Sequence, residues 1–419
     1  MRETHLRSSC GVRSLVNCRA NLIGRTAWLT PASSVSALQP RQKPRHRCCR
    51  CVKAQQASYN SDSNAIAHGP WTKQHDENTV LIADIGGTNC RFELWAVGGE
   101  VKDHKQILKH TYATADYPTF QDALTALCTF PEFQSYLPQS VALAVAGPVK
   151  NNVCEMTNLS WIIDGNHLTQ KYGVSVGVLN DFEANGYGVL ALQPSDMVTL
   201  NDVPVLPQGP KAVLGPGTGL GEAQLMWDQA QEAYRVWPSE GSHAQFAPRG
   251  WRQRALQAYV ESQMGYCEVE HVACGSGLER IYQFLQTDKA YNRCGINMID
   301  QKKAPDITKE ALEESNPLSE EAVDLFLAII GAEAGYMGVR ALAAGGIYIC
   351  GGITPRLIPR IQMGGLMESF MHKRSKFNKL LRTYPVYAVT HKHLGLLGTK
   401  EYAIRLLDSR VSPASLNTQ

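Results

Sequence analysis

Two glycine-rich turns carry the residues best suited to bind phosphate. LIADIGGTN, residues 81–89, places Asp84, two glycines and Thr88 directly after an apolar run, and LGPGTGLG, residues 214–221, repeats the pattern with Thr218. Glycine in a turn lets an anion approach the backbone N–H groups and tolerates positive φ. The residues after each turn, CRFELW and EAQLMW, are typical of a strand. Two such hairpins facing one another could hold a nucleoside triphosphate across a cleft.

The residues that follow the turns exclude two common phosphate-binding motifs. A Walker A loop needs Gly-Lys-Ser/Thr leading into a helix, and neither turn has that lysine. A dinucleotide-binding fingerprint also opens a helix, whereas both of these turns precede predicted strands. The remaining arrangement is similar to the phosphate-binding hairpins of the actin, Hsp70 and sugar-kinase superfamily. A plain β-hairpin is the alternative for either turn alone, but two such turns in order, a domain's length apart, disfavour it.

Two further segments carry candidate catalytic and binding side chains. VLND ends a predicted buried strand with Asn180 and Asp181, where a carboxylate can point into a cleft. From this segment alone, the simpler interpretation is that Asp181 caps the following segment FEANGYGVL, since aspartate favours that position. SEGSH supplies Glu240 and His243, whose carboxylate and imidazole suit recognition of neighbouring hydroxyls.

The order of apolar segments predicts an α/β fold, in which sheets are covered by helices. Short buried strands alternate with helical patterns, and AVDLFLAIIGAEAGYMGVRALAAG reads as a long buried helix followed by the strand GIYICGG. No apolar run approaches the roughly 20 residues needed to span a bilayer. We therefore expect a soluble protein with no membrane partner.

The N-terminal leader differs in composition from the rest of the chain. Residues 1–61 hold nine Arg, two Lys and one acid, which leaves −7 for the remainder of a chain whose formal charge is +3. An Arg- and Ser-rich, acid-poor leader is typical of an organellar transit peptide. We predict such a peptide over 1–54, addressed to the chloroplast stroma with the mitochondrion as alternative, and a disordered linker over 55–77. A basic arm that binds nucleic acid is disfavoured, because the arginines are spaced and the body is acidic.

Nine motifs in order make the whole chain after the leader resemble the bacterial-type glucokinases. The resemblance spans roughly residues 79–408. The motifs, in order, are IADIGGTNCRFEL, AVAGPV, EMTNLSW, VLNDFEA, LGPGTGLG, PSEGSHAQFAPR, CGSGLERIY, YICGGITPR and HLGLLG. The resemblance implies ATP:glucose 6-phosphotransferase activity and two actin-like (ribonuclease H-like) domains with a ligand cleft between them. The small domain would span 78–190, completed by a helix at 395–410, and the large domain would span 191–394.

The same resemblance implies a role for each candidate site residue. Asp181 would be the general base on the 6-hydroxyl of glucose, and Asp84 would hold Mg²⁺ through water. The residues implied for sugar binding are Asn158, Asn180, Asp181, Glu240, His243 and Glu270, with Glu268 close to the last of these. The residues implied for ATP binding are Asp84, Gly86, Gly87, Thr88, Asn89, Gly215, Gly217, Thr218, Gly219, Gly351 and Gly352.

Three alternatives stay open at the level of sequence. The acceptor could be another hexose, because epimers differ by only a few hydrogen bonds. The donor could be polyphosphate, or the protein could be a non-catalytic sugar sensor of the same fold. Asp181 and both phosphate turns argue against a sensor, because sugar binding alone does not require them. A homodimer is also left open.

Overall fold

The computed structural model describes residues 61–72, 77–99, 103–156, 159–287, 300–371 and 376–408. The predicted transit peptide over 1–54 and the predicted sugar ligand Asn158 lie outside these residues. The strands are β1 (Asn78–Ile85), β2 (Asn89–Val97), β3 (Lys105–Ala113), β4 (Ser140–Val145), β5 (Val149–Lys150), β6 (Val153–Glu155), β7 (Ile162–Asp164), β8 (Ser175–Asn180), β9 (Met197–Thr199), β10 (Lys211–Pro216), β11 (Leu220–Asp228), β12 (Ala233–Ser239), β13 (Gly346–Ile349) and β14 (Val386–Val389). The helices are α1 (Ser61–His68), α2 (Phe120–Leu127), α3 (Pro131–Ser135), α4 (Gly165–Tyr172), α5 (Asp181–Leu190), α6 (Gly250–Met264), α7 (Gly275–Thr287), α8 (Ala304–Leu312), α9 (Pro317–Ala341), α10 (Ile358–Gln362), α11 (Gly365–Phe370), α12 (Asn378–Leu381) and α13 (Leu394–Leu407).

The first sheet brings the ends of three parallel strands to one edge. Its order is β3-β2-β1-β4-β8, with β2 antiparallel to both of its neighbours and with β1, β4 and β8 parallel. In this register Asp84 lies beside Ala144, and Val145 lies beside Asn180. The end of β1 and the start of α5 therefore meet at the same edge of the sheet.

The second sheet repeats the plan of the first. Its order is β12-β11-β10-β13-β14-β9, with β10, β11 and β12 antiparallel and with β10, β13 and β14 parallel. One glycine turn connects β1 to its antiparallel neighbour β2, and the other connects β10 to its antiparallel neighbour β11. The predicted strands after both glycine turns are confirmed as β2 and β11, which is why neither turn opens a helix. A small third sheet has the order β5-β6-β7.

Alternate residues of β1 serve two apolar cores, as the pleat of a strand requires. Leu81 and Ala83 belong to a cluster with residues of α2 and α4. Val80 and Ile82 belong to a cluster shared with α5, α13 and the second sheet. Another cluster fills the space between the second sheet and α7, α8 and α9. Because both faces of β1 are covered, the strand reads in sequence as a continuous apolar run.

Helix α9 corrects the statement that no apolar run reaches membrane length. It is 25 residues long, and by length and composition it could cross a bilayer. However, 78% of its most apolar window is buried inside the protein. The helix is thus a core element, which agrees with the prediction of a long buried helix in this segment.

The predicted disordered linker over 55–77 is wrong for residues 61–72. Residues 61–68 form α1, and the Trp71 side chain is 5% exposed. Its indole stacks on Tyr172 with ring centroids 4.0 Å apart, and its Nε1 donates to the Ile66 carbonyl at 2.9 Å. The segment looked like a linker because a single buried aromatic among polar residues leaves no periodic pattern.

Helix α13 packs against α5 and against strands β1 and β4 of the first sheet, and the assignment of 395–410 to the small domain stays a prediction. Small residues let it approach α5 closely, since a Cβ on Gly398 would overlap the backbone of Ala184. The helix ends at Leu407, and residues beyond 408 are outside the described part of the chain. The domain boundary between 190 and 191 coincides with the end of α5 and stays a prediction.

Candidate active site

Two adjoining cavities form a cleft at the edge of the first sheet. Their volumes are about 810 and 390 Å³, and both are lined by Asp181, Asn185 and Gly351. The larger cavity also contains Asp84, Arg91, Gly352, Arg356 and residues 391–396. The smaller cavity also contains the second glycine turn, Glu240, His243 and Glu270. The cleft therefore brings together most of the predicted site residues.

Asn180, rather than Asp181, caps helix α5. The Asn180 Oδ1 accepts hydrogen bonds from the backbone N–H of Phe182 at 2.8 Å and of Glu183 at 3.3 Å. Its Nδ2 donates to the Gly147 carbonyl at 3.1 Å. The alternative that Asp181 is the cap is therefore wrong, and its carboxylate is open to the cleft. These bonds give Asn180 a structural role, and its predicted contact with sugar stays a prediction.

The surroundings of Asp181 favour its protonated form. The carboxylate faces the cleft, but the cleft walls displace part of its hydration, and this raises the pKa of Asp181 above its ordinary value. The nearby negative charges of Asp84 and Glu240 act in the same direction, while the N–H of Phe182 opposes them. A raised pKa makes this carboxylate a better proton acceptor in a reaction near neutral pH.

Asp84 lies at the end of β1 and faces the larger cavity. Its Oδ2 accepts a hydrogen bond from Arg91 at 2.9 Å, and both side chains are partly exposed. An exposed ion pair of this kind contributes about 0–1 kcal/mol, so the carboxylate can exchange it for another partner. Within the described residues no group of three or more His, Cys, Asp or Glu gathers as a metal cage. A single carboxylate fits Mg²⁺, which keeps several waters and binds through one or two carboxylates and phosphates.

The first glycine turn is held from behind by Thr114. The turn closes through the Gly86 N–H and the Asn89 carbonyl at 2.9 Å. The Thr114 hydroxyl donates to the Gly87 carbonyl at 2.9 Å, and its N–H donates to the Thr88 carbonyl at 3.0 Å. In the described part of the chain, the N–H groups of Gly87 and Thr88 donate to no protein group. They are available to an anion, although neither cavity wall reaches this turn.

The second glycine turn is fixed on both sides. It closes through the Gly217 N–H and the Gly219 carbonyl at 2.8 Å, and the Gly275 N–H at the start of α7 donates to the Gly217 carbonyl at 2.8 Å. The Glu270 Oε2 accepts from the Leu220 N–H at 2.8 Å. Among described residues the N–H groups of Thr218 and Gly219 likewise lack a protein acceptor. Thr218 and its neighbours line the smaller cavity.

Gly215 and Gly221 are needed for a reason that the sequence does not reveal. A Cβ at either position would overlap the ring of Phe182, the residue after Asp181. These glycines therefore let α5 dock against the β10–β11 hairpin. The predicted role of Gly215 in phosphate binding stays a prediction.

Gly351 also serves a close approach. Its φ is +84°, and a Cβ there would overlap the backbone of Pro216. Gly352 has open space where a Cβ would stand. Gly351 thus lies against the second glycine turn, and both glycines line the larger cavity.

A cluster of three glutamates around His243 lies at one wall of the smaller cavity. His243 Nδ1 lies 2.9 Å from the Glu268 Oε2, and His243 Nε2 lies 3.7 Å from the Glu240 Oε2. The hydrogen bond with Glu268 raises the pKa of His243 above its ordinary value, with Glu270 and Glu240 acting in the same direction. The cluster offers several acceptors and an imidazole to the hydroxyls of a ligand.

Comparison with known proteins identifies the family. The family model described as Glucokinase matches residues 81–406. The chain belongs to the glucokinase family. The glucokinase of Synechocystis sp. is 35% identical over 341 residues, which cover 76% of this chain and 96% of the relative.

Solved structures of glucokinases share the fold of this family member. The glucokinase of an Antarctic psychrotroph gives a TM-score of 0.68 at 27% identity, covering 78% of this chain and 99% of that one. The glucokinase of Balamuthia mandrillaris, solved in complex with glucose, gives a TM-score of 0.62 at 21% identity, covering 78% and 94%. These findings confirm the predicted family and the predicted α/β, actin-like fold.

The cleft of this glucokinase-family chain contains residues that the sequence analysis did not single out. Asn185 lines both cavities, and its Nδ2 donates to the Asp181 carbonyl at 3.1 Å. Its spacing of four residues from Asp181 on one helix is the signal that could have found it. Arg356 and Lys392 add positive charge to the larger cavity. Arg356 is the last residue of the motif YICGGITPR, and Lys392 directly precedes the motif HLGLLG.

Proposed function

We propose that this protein transfers the terminal phosphoryl group of ATP to the 6-hydroxyl of glucose, with Asp181 as general base. The observation that carries the proposal is the position of Asp181 in the wall of both cavities. From there its carboxylate can reach a hydroxyl bound near Glu240 and His243 while the glycine turns bind the donor. Membership in the glucokinase family supports the same reaction.

Proton removal is the step that Asp181 would perform. As the 6-oxygen of glucose attacks the terminal phosphorus, its proton passes to the carboxylate. Because the transition state of phosphoryl transfer is loose, most of the catalysis comes from positioning and charge stabilisation. A positioned base contributes roughly 10²–10⁴-fold in rate.

Binding of ATP would use the unoccupied N–H groups of the two turns. Gly87 and Thr88 would contact one part of the phosphate chain, and Thr218 and Gly219 another. Asp84 would hold Mg²⁺ through water after exchanging its exposed partner Arg91. The metal ion would neutralise charge on the transferring phosphates.

Binding of glucose would use the cluster around His243. Glu268 orients the imidazole, so that the other ring nitrogen and Glu240 face the cavity. Glu270 uses Oε2 to hold the Leu220 N–H, which leaves Oε1 for a sugar hydroxyl. We include Asn180 and Asn158 among the residues that contact glucose, following the family motifs.

A coupled assay of ADP release tests the proposal across several hexoses and with polyphosphate as the other donor. We expect glucose and ATP to be preferred, and Asp181→Asn to lower kcat by about 10²–10⁴-fold with little change in glucose affinity. Asp202→Asn, an exposed aspartate in a loop, is the matched control and should match the wild type. Robust turnover by Asp181→Asn would end the assignment of the base. Glucose binding without ADP release from the wild-type protein would support the sensor.

We also propose that residues 1–54 direct the protein to the chloroplast stroma. The support is the acid-poor, Arg-rich composition of the leader and the start of the family match only at residue 81. Residues 1–60 fused to a fluorescent reporter should carry it into plastids. Mitochondrial fluorescence would favour the alternative, and a diffuse signal would refute both.

A further inference from the structure

A third cavity, of about 230 Å³, adjoins the cleft but has a different lining. It shares His391, His393 and Leu396 with the wall of the larger cavity. Ile82 forms part of its wall, one pleat along β1 from Asp84 and on the same face of the sheet. Its other polar and aromatic walls are Glu93, Trp95, Gln106, Lys109 and Lys400. None of these five residues has a role in the phosphoryl transfer proposed above.

Lys400 is a buried cation of this cavity that makes no direct ion pair in the described part of the chain. The residue is 9% exposed, and its ammonium lies 4.1 Å from the centroid of the Trp95 ring. Within the described residues, no hydrogen bond or ion pair of Lys400 accompanies this contact. A cation–π contact contributes about 0.5–2 kcal/mol, which offsets only part of the cost of burying a charge. Burial accordingly lowers the pKa of Lys400, while the negative charges of Glu93 and Glu401 act in the opposite direction.

The acid of the cavity is already bonded to other groups. Glu93 is 5% exposed, and its Oε1 lies 2.9 Å from the Lys109 ammonium. Its Oε2 accepts a hydrogen bond from the Trp95 Nε1 at 3.0 Å. Glu93 thus forms its direct ion pair with Lys109 and acts on Lys400 only from beyond ion-pair distance, so the Lys400 ammonium can still bind an anionic ligand.

We propose that this cavity binds a small phosphate-bearing anion, either orthophosphate or a phosphomonoester, with Lys400 as its principal ligand. Gln106, His391 and His393 also line the cavity, and their amide and imidazole N–H groups could supply further donors. Several donors around one cation suit a tetrahedral anion with several acceptor oxygens. The apolar walls formed by Leu396 and Leu397 would contact the organic part of an ester. This binding site goes beyond the proposed kinase reaction and does not depend on it.

Calorimetric titration of the full chain with orthophosphate, and separately with glycerol 3-phosphate, tests the proposal. Saturating glucose and a non-hydrolysable ATP analogue are present, so that the catalytic cleft is occupied. We expect binding under these conditions, weakened by about tenfold in Lys400→Met because one charge-assisted hydrogen bond is lost. Lys109→Met, on the exposed strand β3, should weaken binding as well, because it leaves Glu93 as an unpaired anion.

The matched control is Lys105→Met, which removes the same charge from a residue next to Gln106 that does not line the cavity. Its affinity for orthophosphate should equal that of the wild type, and the folding of each variant is checked by thermal unfolding. Unchanged affinity in folded Lys400→Met and Lys109→Met would overturn the proposal. The proposal would also be overturned if orthophosphate bound the wild-type protein without glucose and the ATP analogue but not in their presence. The ion would then belong to the catalytic site.

Discussion

Asn180 and Asp181 divide two tasks that their sequence leaves ambiguous. Both residue types cap helices well, and both can point into a cleft. The structure resolves the ambiguity because the Asn180 side chain bonds two N–H groups of the first turn of α5. The carboxylate of Asp181 is thereby presented to the cavities at the start of a helix that is already capped.

Removal of this cap should lower both stability and turnover. We expect Asn180→Ala to reduce the free energy of unfolding by about 1 kcal/mol and to lower kcat, because the first turn that carries Asp181 loosens. Urea unfolding and the ADP-release assay measure the two effects. Asp164→Ala is the matched control, since Asp164 caps α4 with the same two bonds away from the cleft. Equal turnover of the two variants would contradict the positioning role of Asn180.

Glu183 makes the same helix start sensitive to pH. The residue is buried, and burial raises its pKa to about 8, opposed by a hydrogen bond from the Asn180 N–H. The folded state therefore holds this proton more tightly than the unfolded chain does. The resulting stabilisation is complete below the ordinary pKa of 4.5 and is lost as pH rises through about 8.

Glu183→Gln should remove this pH dependence, because glutamine stays neutral and can still accept the bond from Asn180. We expect the variant to be more stable than the wild type at pH 9 and the difference to shrink toward pH 5. Thermal unfolding across this range measures it. Glu132→Gln, an exposed glutamate in the first turn of α3, is the control. Parallel stability curves for wild type and Glu183→Gln would show that the buried carboxyl is not the titrating group.

At the scale of elements, α5 packs against the β10–β11 hairpin through the ring of Phe182. Phe182 lies against Gly215 and Gly221, at positions where any Cβ would overlap its ring. The second glycine turn at Gly217–Gly219 and Asp181, the proposed base, are thus connected through the packing of Phe182. Gly215, which was predicted to bind phosphate, is therefore also needed to make room for this ring.

Gly221→Ala should therefore disturb catalysis as well as folding. Overpacking of this kind costs about 1–3 kcal/mol, and we expect kcat to fall more than the KM for glucose rises, because Asp181 moves with Phe182. Steady-state kinetics and urea unfolding measure these effects. Adding Phe182→Leu should restore part of the activity by relieving the overlap. Gly98→Ala, where a Cβ meets nothing within 4 Å, is the control. Failure of the double variant to recover would argue against the contact.

Local patterns predicted the elements that carry most of the site, and distant contacts explain what they missed. The strands around both glycine turns and the strand β8 are visible because their apolar residues repeat at short range, whereas the helix α13 was implied by the family resemblance. The contact of Glu270 with Leu220, fifty residues away, leaves no such trace. The roles of Phe182, Asn185 and Trp71 also depend on partners that only the fold brings together.

At the scale of the molecule, the core begins before the family match. The match starts at residue 81, whereas Trp71 already stacks on Tyr172 and packs edge-on against Phe133 with centroids 5.4 Å apart. The backbone N–H of Trp71 donates to the Tyr172 carbonyl at 2.7 Å. The segment before β1 therefore covers α4 and completes the first apolar core.

Trp71→Ala should destabilise the whole protein. Truncation of a buried tryptophan costs about 3–5 kcal/mol, and we expect the loss in urea unfolding with little change in the KM for glucose, because the cleft is on another part of the sheet. Trp251→Ala, at a tryptophan that is 63% exposed, is the matched control. A loss equal to that of the control would mean that Trp71 adds nothing to the core.

The buried indole of Trp71 sets a limit on how far the N-terminus can be trimmed. A maturation protease that cut near residue 54 would leave the tryptophan and α1 in place. A cut close to β1 would strip them and uncover the rings of Tyr172 and Phe133. A recombinant version that starts at the family match would lack the same cover over these rings.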